Sequence, residues 1–366
     1  MLLKIRDKFY ILIYLIIIFV ILISFITDKH LFLLDIILGT GSYNNLEFYG
    51  KIVPIYGGTL SLNLISMISQ KLLIFIILLF SVYSMYGFIN KIISSRMSSF
   101  YAGLLYMLNS YVYVRIMAGQ LYLLFSYAIL PLLLKVFINL LEKKEKKEMI
   151  KFIFLLSVVA FNIHILIIAL TIMSIIFLFW FNKHRDIRIS KIIIISVILF
   201  IILNSYWIIP ILTAKNTMVG NIGETDYKVY APKIEGISGL FDLAAMYGFW
   251  REGYLYTKDF LLGWQVLYLI ILSLAIIGFL SYYKDQKIGI YIKAFAVIGI
   301  IGFILASGVN GPFGDIVKWL FDNTILKGFR DSHKFVAMMV LSYSVLGGLG
   351  IAKFEEIRLR YTRLEN

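Results

Sequence analysis

The residues best suited to chemistry stand together at 328–335, just before the last apolar run of the sequence, residues 336–351. Arg330, His333 and Lys334 offer hydrogen-bond donors suited to a phosphate group, and a guanidinium can bind two phosphate oxygens at once. In a chain that is 61% hydrophobic, such a polar cluster at a membrane boundary is costly to desolvate. The alternative is an anchor, in which these charges end a loop and hold the next helix at the lipid headgroups.

A second candidate group is acidic and lies in the segment 27–69, between the first two apolar runs. The acids considered for catalysis are Asp28, Asp35 and Glu47. Asp35 lies inside the apolar run 31–38, where partial burial would make a carboxylate a stronger base. The alternative is a helix cap or an ion pair with Lys29 or Lys51. A divalent cation such as Mg²⁺ or Mn²⁺ at these acids stays open, because the segment has no dedicated ligand pattern.

Aromatic side chains are dense in the segment 213–262, most of all within 247–260, where they alternate with charged residues. Rings beside hydrogen-bonding groups suit the faces and edges of sugars. An interfacial aromatic belt is the common explanation for any single ring. We expect part of this segment to form a substrate wall that includes Trp250, Arg251, Glu252 and Tyr254.

Two isolated polar residues, Arg115 and His164, fall at predicted outer turns. A lone arginine at the edge of a membrane needs a partner, and either a lipid phosphate or Asp35 would serve. His164 could donate to a phosphate or pair with an outer carboxylate. More often, a lone histidine in a turn bonds only its own backbone neighbours.

The composition excludes an ordinary soluble domain, because only 15% of residues are charged where about a quarter would be usual. Many apolar runs approach the roughly 20 residues that a helix needs to cross a bilayer. The chain is therefore predicted to be an all-α polytopic membrane protein. The absence of cysteine excludes disulfides, thiolate metal sites and cysteine nucleophiles. No P-loop, zinc-ligand spacing or kinase-like motif occurs in the predicted cytoplasmic loops, so any chemistry is expected on the outer face.

The basic residues predict about ten spans with both termini in the cytoplasm, because Lys and Arg collect on the cytoplasmic side of membrane helices. The net charge of +14 falls mainly on the predicted inner turns, which indicates contact with anionic lipid and not with nucleic acid. The predicted spans are 9–26, 72–89, a hairpin within 98–141, a second hairpin within 149–181, 192–212, 263–282, 288–306 and 336–351.

One transmembrane domain, 1–366, is predicted, with outer loops at about 27–69, 213–262 and 307–333. Residues 9–26 are too long for a signal-peptide core and lack a small-residue cleavage site, so they predict a permanent first span. The segment 149–181 has an alternative, a single long tilted helix, which would invert the topology downstream. Basic residues on both of its flanks favour two short helices.

Three features together resemble the GT-C superfamily of multi-pass membrane glycosyltransferases. They are the acid-bearing first outer loop, the hairpin tip Leu-Asn-Ser-Tyr-Val-Tyr-Val-Arg-Ile-Met-Ala-Gly-Gln at 108–120, and Gly-Phe-Arg-Asp-Ser-His-Lys-Phe at 328–335. Tyr-Gly-Phe-Trp at 247–250 and the turn Asn-Gly-Pro-Phe-Gly at 310–314 are similar to the uncharacterised bacterial and archaeal members.

The resemblance implies a sugar donor linked to polyprenyl phosphate, transferred with inversion to a glycan, lipid or protein acceptor at the outer face of the cell membrane. It implies that a first-loop carboxylate acts as general base, with Asp35 the best match, Glu47 next and Asp28 third. It implies that Arg330, His333 and Lys334 bind the donor phosphate with help from Arg115 and favour departure of the phosphate by neutralising its charge.

Two other functions remain open on the sequence. A lipid flippase or transporter would bind a headgroup with the same basic cluster, although transporters usually place ionisable groups at mid-membrane and in repeated halves. The other alternative is a non-catalytic membrane protein of envelope assembly. Replacing Asp35 by Asn separates them, because only an enzyme would lose turnover while keeping lipid binding.

Overall fold

The structure is a computed structural model that describes residues 5–23, 59–214 and 218–364. Within these ranges the chain is helical and contains no strand. Short 3₁₀ turns at Met218–Asn221, Gly308–Asn310, Ile325–Gly328 and Ser332–Phe335 connect some of the helices. The helices are α1 (Ile5–Ile23), α2 (Thr59–Ile92), α3 (Arg96–Met107), α4 (Ser110–Met117), α5 (Leu121–Lys143), α6 (Lys146–Val159), α7 (Ile163–His184), α8 (Ile187–Leu203), α9 (Ser205–Thr213), α10 (Glu224–Tyr230), α11 (Gly236–Ala244), α12 (Thr257–Phe260), α13 (Trp264–Tyr282), α14 (Gly289–Ser307), α15 (Gly314–Asn323) and α16 (Val336–Leu364).

Six helices among the described residues are long and apolar enough to cross a membrane, which confirms the all-α polytopic fold. A seventh span results if α8 and α9, bent by 79° at Asn204, are counted as one. The six are Lys71–Ile92, Leu121–Lys143, Ile163–His184, Trp264–Tyr282, Gly289–Asn310 and Ser332–Arg360.

The prediction of ten spans goes further than these lengths support. The third and fifth predicted spans coincide with α3 and α6, which have 12 and 14 residues. Helices of that length extend only about 18 and 21 Å, against a hydrocarbon core about 30 Å thick. Within the described residues, the apolar part of α1, Phe9–Ile23, is also shorter than the six helices above. Charge patterns mark where the chain turns, but they carry no information about how long each helix is.

The predicted inner turns meet at one end of the bundle, here called the basic end. Ion pairs and hydrogen bonds join Lys91 to Glu142, Lys144 to Asp186, Lys183 to Gln286, Ser95 to Glu355 and Tyr282 to Glu356. The pair of Lys144 and Asp186 also brings the start of α6 beside the end of α7. The segment 149–181 is therefore a hairpin of two helices with its turn at 160–162, and not one long helix.

Helix α16 is the centre of the packing, and nearly all of its residues from Val336 to Ala352 are buried. It lies against α3, α13 and α14. The approach to α13 is close enough to require glycine, because a Cβ atom at Gly278 would lie 1.9 Å from the carbonyl oxygen of Leu346. Helix α16 thereby fixes the position of the preceding segment, 328–335, along the axis of the helix bundle.

Candidate functional site

Local capping places Arg115 at the end of the bundle away from the basic end. The Asn109 side chain accepts a hydrogen bond from the backbone N–H of Val112 and starts α4. Its amide also donates to the carbonyl oxygens of Leu105 and Tyr106, which ties α4 to the end of α3. Arg115 follows in the last turn of this short helix. Asparagine is among the best N-cap residues because its oxygen satisfies an otherwise unpaired N–H.

Arg115 forms a buried ion pair with Asp331, and their side chains are 0% and 6% exposed. Nη1 of Arg115 lies 2.6 Å from Oδ2 of Asp331, and Nη2 lies 3.4 Å from Oδ1, so the contact is bidentate. Nη1 also donates to Oε1 of Gln120 at 2.7 Å. The guanidinium carbon lies 5.2 Å from the ring centre of Tyr111 and 4.9 Å from that of Phe249. These contacts position the guanidinium, since a planar fork between two rings has little freedom.

The electrostatics favour the ionised pair. Burial alone would raise the pKa of Asp331, but the Arg115 guanidinium and the Lys334 ammonium group together outweigh burial and lower that pKa to about 2. Burial alone would lower the pKa of Arg115, and the Asp331 carboxylate reverses this and raises it. Both groups are therefore charged across the physiological range, and each charge stabilises the other.

His333 completes the cluster as a neutral ring. Its Nδ1 lies 3.2 Å from Nη2 of Arg115. A guanidinium nitrogen can only donate, so Nδ1 must be the acceptor and the ring proton is on Nε2. The ring packs against Tyr111 and Phe249 at centroid distances of 5.9 and 5.8 Å. His333, which is fully buried, therefore supports Arg115 and offers no positive charge of its own.

Close packing holds the segment before α16 against the end of α14. Ser332 donates from Oγ to the carbonyl oxygen of Ala306 at 3.0 Å. Gly308 lies opposite with φ +61°, and a Cβ atom there would come 2.5 Å from Oγ of Ser332. Phe329 and Phe335 stack at 4.5 Å. The segment is thus a packed element of the fold and not a loose loop.

A second polar pair, His164 and Lys334, lies beside the ion pair. Nζ of Lys334 is 3.3 Å from Nε2 of His164. This imidazole nitrogen is also 3.2 Å from the carbonyl oxygen of Gly328. Lys334 is 9% exposed, and its charge also acts on the Asp331 carboxylate. His164 thus joins the turn between α6 and α7 to the segment 328–335.

An aromatic path leads from this cluster to the surface. Phe249, which touches Arg115 and His333, packs on Trp250 at 5.5 Å and on Tyr254 at 5.8 Å. Trp250 packs edge-on against Tyr230 at 4.7 Å. Arg330 is exposed and covers the Tyr230 ring at 4.4 Å. Four of the predicted site residues, Arg115, Arg330, Trp250 and Tyr254, are therefore linked through two rings, Phe249 and Tyr230.

Other predicted site residues lie elsewhere. Arg251 and Glu252 are exposed, and Glu252 pairs with Lys233. The acids proposed as general base, Asp28, Asp35 and Glu47, lie outside the described residues. Among the residues that the structure does describe, no group of three or more acidic, histidine or cysteine side chains could hold a metal ion.

Two partners of Arg115, Asp331 and Gln120, are not predicted from the sequence. The partner predicted for Arg115 is Asp35 or a lipid phosphate. Asp331 was visible inside the polar stretch 328–335, and the predicted topology already placed that stretch and Arg115 at the same end. Arg115 and Asp331 are oppositely charged residues predicted at the same end of the bundle, so pairing them would have predicted the contact.

Comparisons of the chain with protein-family models, with curated protein sequences and with solved structures give no significant match. The class of protein that the fold defines is an all-α membrane protein with a buried polar cluster at one end.

Proposed function

We propose that the chain is a membrane glycosyltransferase of the GT-C kind, built on about ten passes. It would move a sugar from a polyprenyl-phosphate donor to a glycan, lipid or protein acceptor at the outer face of the cell membrane. The observation that carries the proposal is convergence. Polar side chains from three separate segments, at 115, 164 and 330–334, assemble at the end opposite the basic turns. Assembly of that kind goes beyond what anchoring at headgroups requires.

The contacts support a division of roles among the basic residues. The charge of Arg115 is matched by Asp331, and His333 is neutral, so these groups act as positioning residues for the segment 328–335. Lys334, at the edge of the cluster, and the exposed Arg330 are the cations we assign to the donor phosphate. A positive charge aimed at the departing phosphate stabilises the negative charge that develops on it.

The remaining step needs a base, which we assign to Asp35, with Glu47 and Asp28 as the next candidates. The carboxylate would take the proton from an acceptor hydroxyl as the hydroxyl oxygen attacks the anomeric carbon. The bond from that carbon to the phosphate oxygen breaks on the opposite face, and polyprenyl phosphate leaves with the electron pair. One displacement of this type inverts the anomeric configuration. The rings of Trp250 and Tyr254 would lie along the sugar.

Release of polyprenyl phosphate from a panel of lipid-linked sugars, followed by mass spectrometry, tests these roles. Asp35→Asn should lower the release rate by about a hundredfold or more, as expected when a general base is lost. Lys334→Met should lower it by a similar factor, because it removes a charge that stabilises the leaving group. Lys318→Met is the matched control. Lys318 is on α15 at the same end, where it pairs with Asp322, and its loss should leave the rate unchanged.

Two outcomes would contradict the proposal. Full activity of Asp35→Asn would show that Asp35 is not the base, and full activity of Lys334→Met would remove the assigned phosphate ligand. Tight donor binding with no turnover across the panel would favour a flippase or an envelope-assembly protein. The bend between α8 and α9 gives a transporter little support. Asn204 forms hydrogen bonds with Ser157 and Trp207 at the bend, and α9 contains no acidic residue, basic residue or histidine.

A further inference from the structure

Lys135 is an ionisable residue inside a membrane span, at a site that the proposed function does not use. It belongs to the span Leu121–Lys143, about two helical turns before the basic end of α5. Its side chain is half-buried. Ionisable groups at such depth are costly and usually mark a binding site or pathway.

The Lys135 side chain reaches from α5 to Gly87 of α2, and the space over Gly87 is here called the groove. A Cβ atom built on Gly87 would lie 3.3 Å from Nζ of Lys135, so the absence of a side chain at Gly87 makes room for the ammonium group. The two helices are joined nearby, where Oγ of Ser84 donates to the carbonyl oxygen of Ala128 at 2.5 Å. Gly87 and Lys135 therefore lie at the contact between the two helices.

The basic neighbours of Lys135 are already paired with other residues. Lys91 and Lys151 act electrostatically on it. Lys91 pairs with Glu142 at 2.7 Å, and Lys151 pairs with Glu148 at 2.7 Å. Over the described parts of the chain, Lys135 itself has no hydrogen bond and no ion pair. Two like charges near a partly desolvated ammonium destabilise it, and a bound anion would reverse the effect.

We propose that this groove, formed by Gly87, Lys91, Lys135 and Lys151, binds the phosphate of an anionic phospholipid from the leaflet that borders the basic end. A lipid fits better than a free ion, because the groove lies on two membrane spans and its ammonium group lies beside Gly87, below the level of the helix ends. Basic pockets between membrane helices on this side are suited to such headgroups. The inference is independent of the glycosyltransferase proposal, since it concerns the opposite end of the bundle.

Thermal unfolding of the purified full-length chain tests the proposal, with phosphatidylglycerol added to detergent micelles and phosphatidylcholine of the same acyl chains as the reference. Phosphatidylglycerol should raise the melting temperature of the wild type more than phosphatidylcholine does. Lys135→Gln should weaken the apparent lipid affinity by about fivefold, the effect of one basic residue near a charged membrane surface. Without lipid, the same variant should melt no lower than the wild type, because it removes an unmatched charge.

Two further variants separate a site from general surface charge. Lys293→Gln removes an exposed lysine of α14 near the same end and should keep the full lipid effect. Gly87→Leu keeps every charge but fills the groove and should lose the effect. The proposal would be overturned if Lys135→Gln and Lys293→Gln lost the phosphatidylglycerol effect on the melting temperature equally. It would also be overturned if Gly87→Leu kept that effect in full. An equal rise with inorganic phosphate alone would overturn the assignment to a lipid.

Discussion

Removal of the Asp331 charge is the sharpest test of the buried cluster. In Asp331→Asn the Arg115 guanidinium stays buried and charged, and only neutral acceptors remain beside it, those of Gln120, His333 and the new amide. Breaking a buried pair in this way usually costs about 3–5 kcal/mol, because one charge is left uncompensated. The lowered pKa of Asp331 gives a consistent lower figure. A shift from 3.8 to about 2 corresponds to roughly 2 kcal/mol for protonation, which leaves the carboxyl group in place.

The assay is the free energy of unfolding in mixed micelles titrated with sodium dodecyl sulfate. The double variant Arg115→Met with Asp331→Leu should recover much of the loss, since replacing both partners by apolar groups leaves no charge buried. Asp322→Asn is the control. Its pair with Lys318 is exposed by 40% and 37%, and its loss should cost less than about 1 kcal/mol. The reasoning would be refuted if Asp331→Asn lowered the free energy of unfolding by less than about 1 kcal/mol. It would also be refuted if the loss in the double variant equalled the sum of the losses in the two single variants.

Other predictions follow from the same contacts. Because the pKa of Asp331 is lowered, its contribution to stability is complete above about pH 4 and is lost as the pH falls through about 2, so wild type and Asp331→Asn should converge in unfolding free energy across that window. Gly278→Ala should lower the unfolding free energy by about 1–3 kcal/mol, because the new Cβ atom would meet the Leu346 backbone at 1.9 Å. Gly308→Ala should cost a similar amount in the same titration, from its positive φ and from contact with Ser332, and preserved stability would contradict the close approach.

Sequence patterns predict the turns of this fold better than the helices between them. Each predicted inner turn lies at the basic end, because positive charge is selected at one membrane face independently of the details of packing. The length of α3, by contrast, depends on where Asn109 caps the next helix, and the bend at Asn204 depends on bonds to Ser157 and Trp207. Such contacts are set by neighbouring helices, so the sequence carries no local signal for the length of each helix.

In the candidate site, too, the sequence predicts which residues take part but not the contacts between them. The stretch 328–335 and Arg115 were both recognisable, because charged residues stand out in an apolar sequence. The pairing of Arg115 with Asp331 spans 216 positions in the chain, and no spacing rule reports a contact at that range. The neutral state of His333 was likewise hidden, since it follows from the direction of one hydrogen bond to Arg115 and not from residue type.

The most direct test of the central claim uses the wild-type chain in lipid nanodiscs with a polyprenyl-phosphate sugar and candidate acceptors. Mass spectrometry would follow the donor, the free polyprenyl phosphate and the acceptor together. The account predicts that polyprenyl phosphate and glycosylated acceptor appear in equal amounts, and only when both substrates are present. A donor that is bound, or moved across a bilayer, but never cleaved would contradict it.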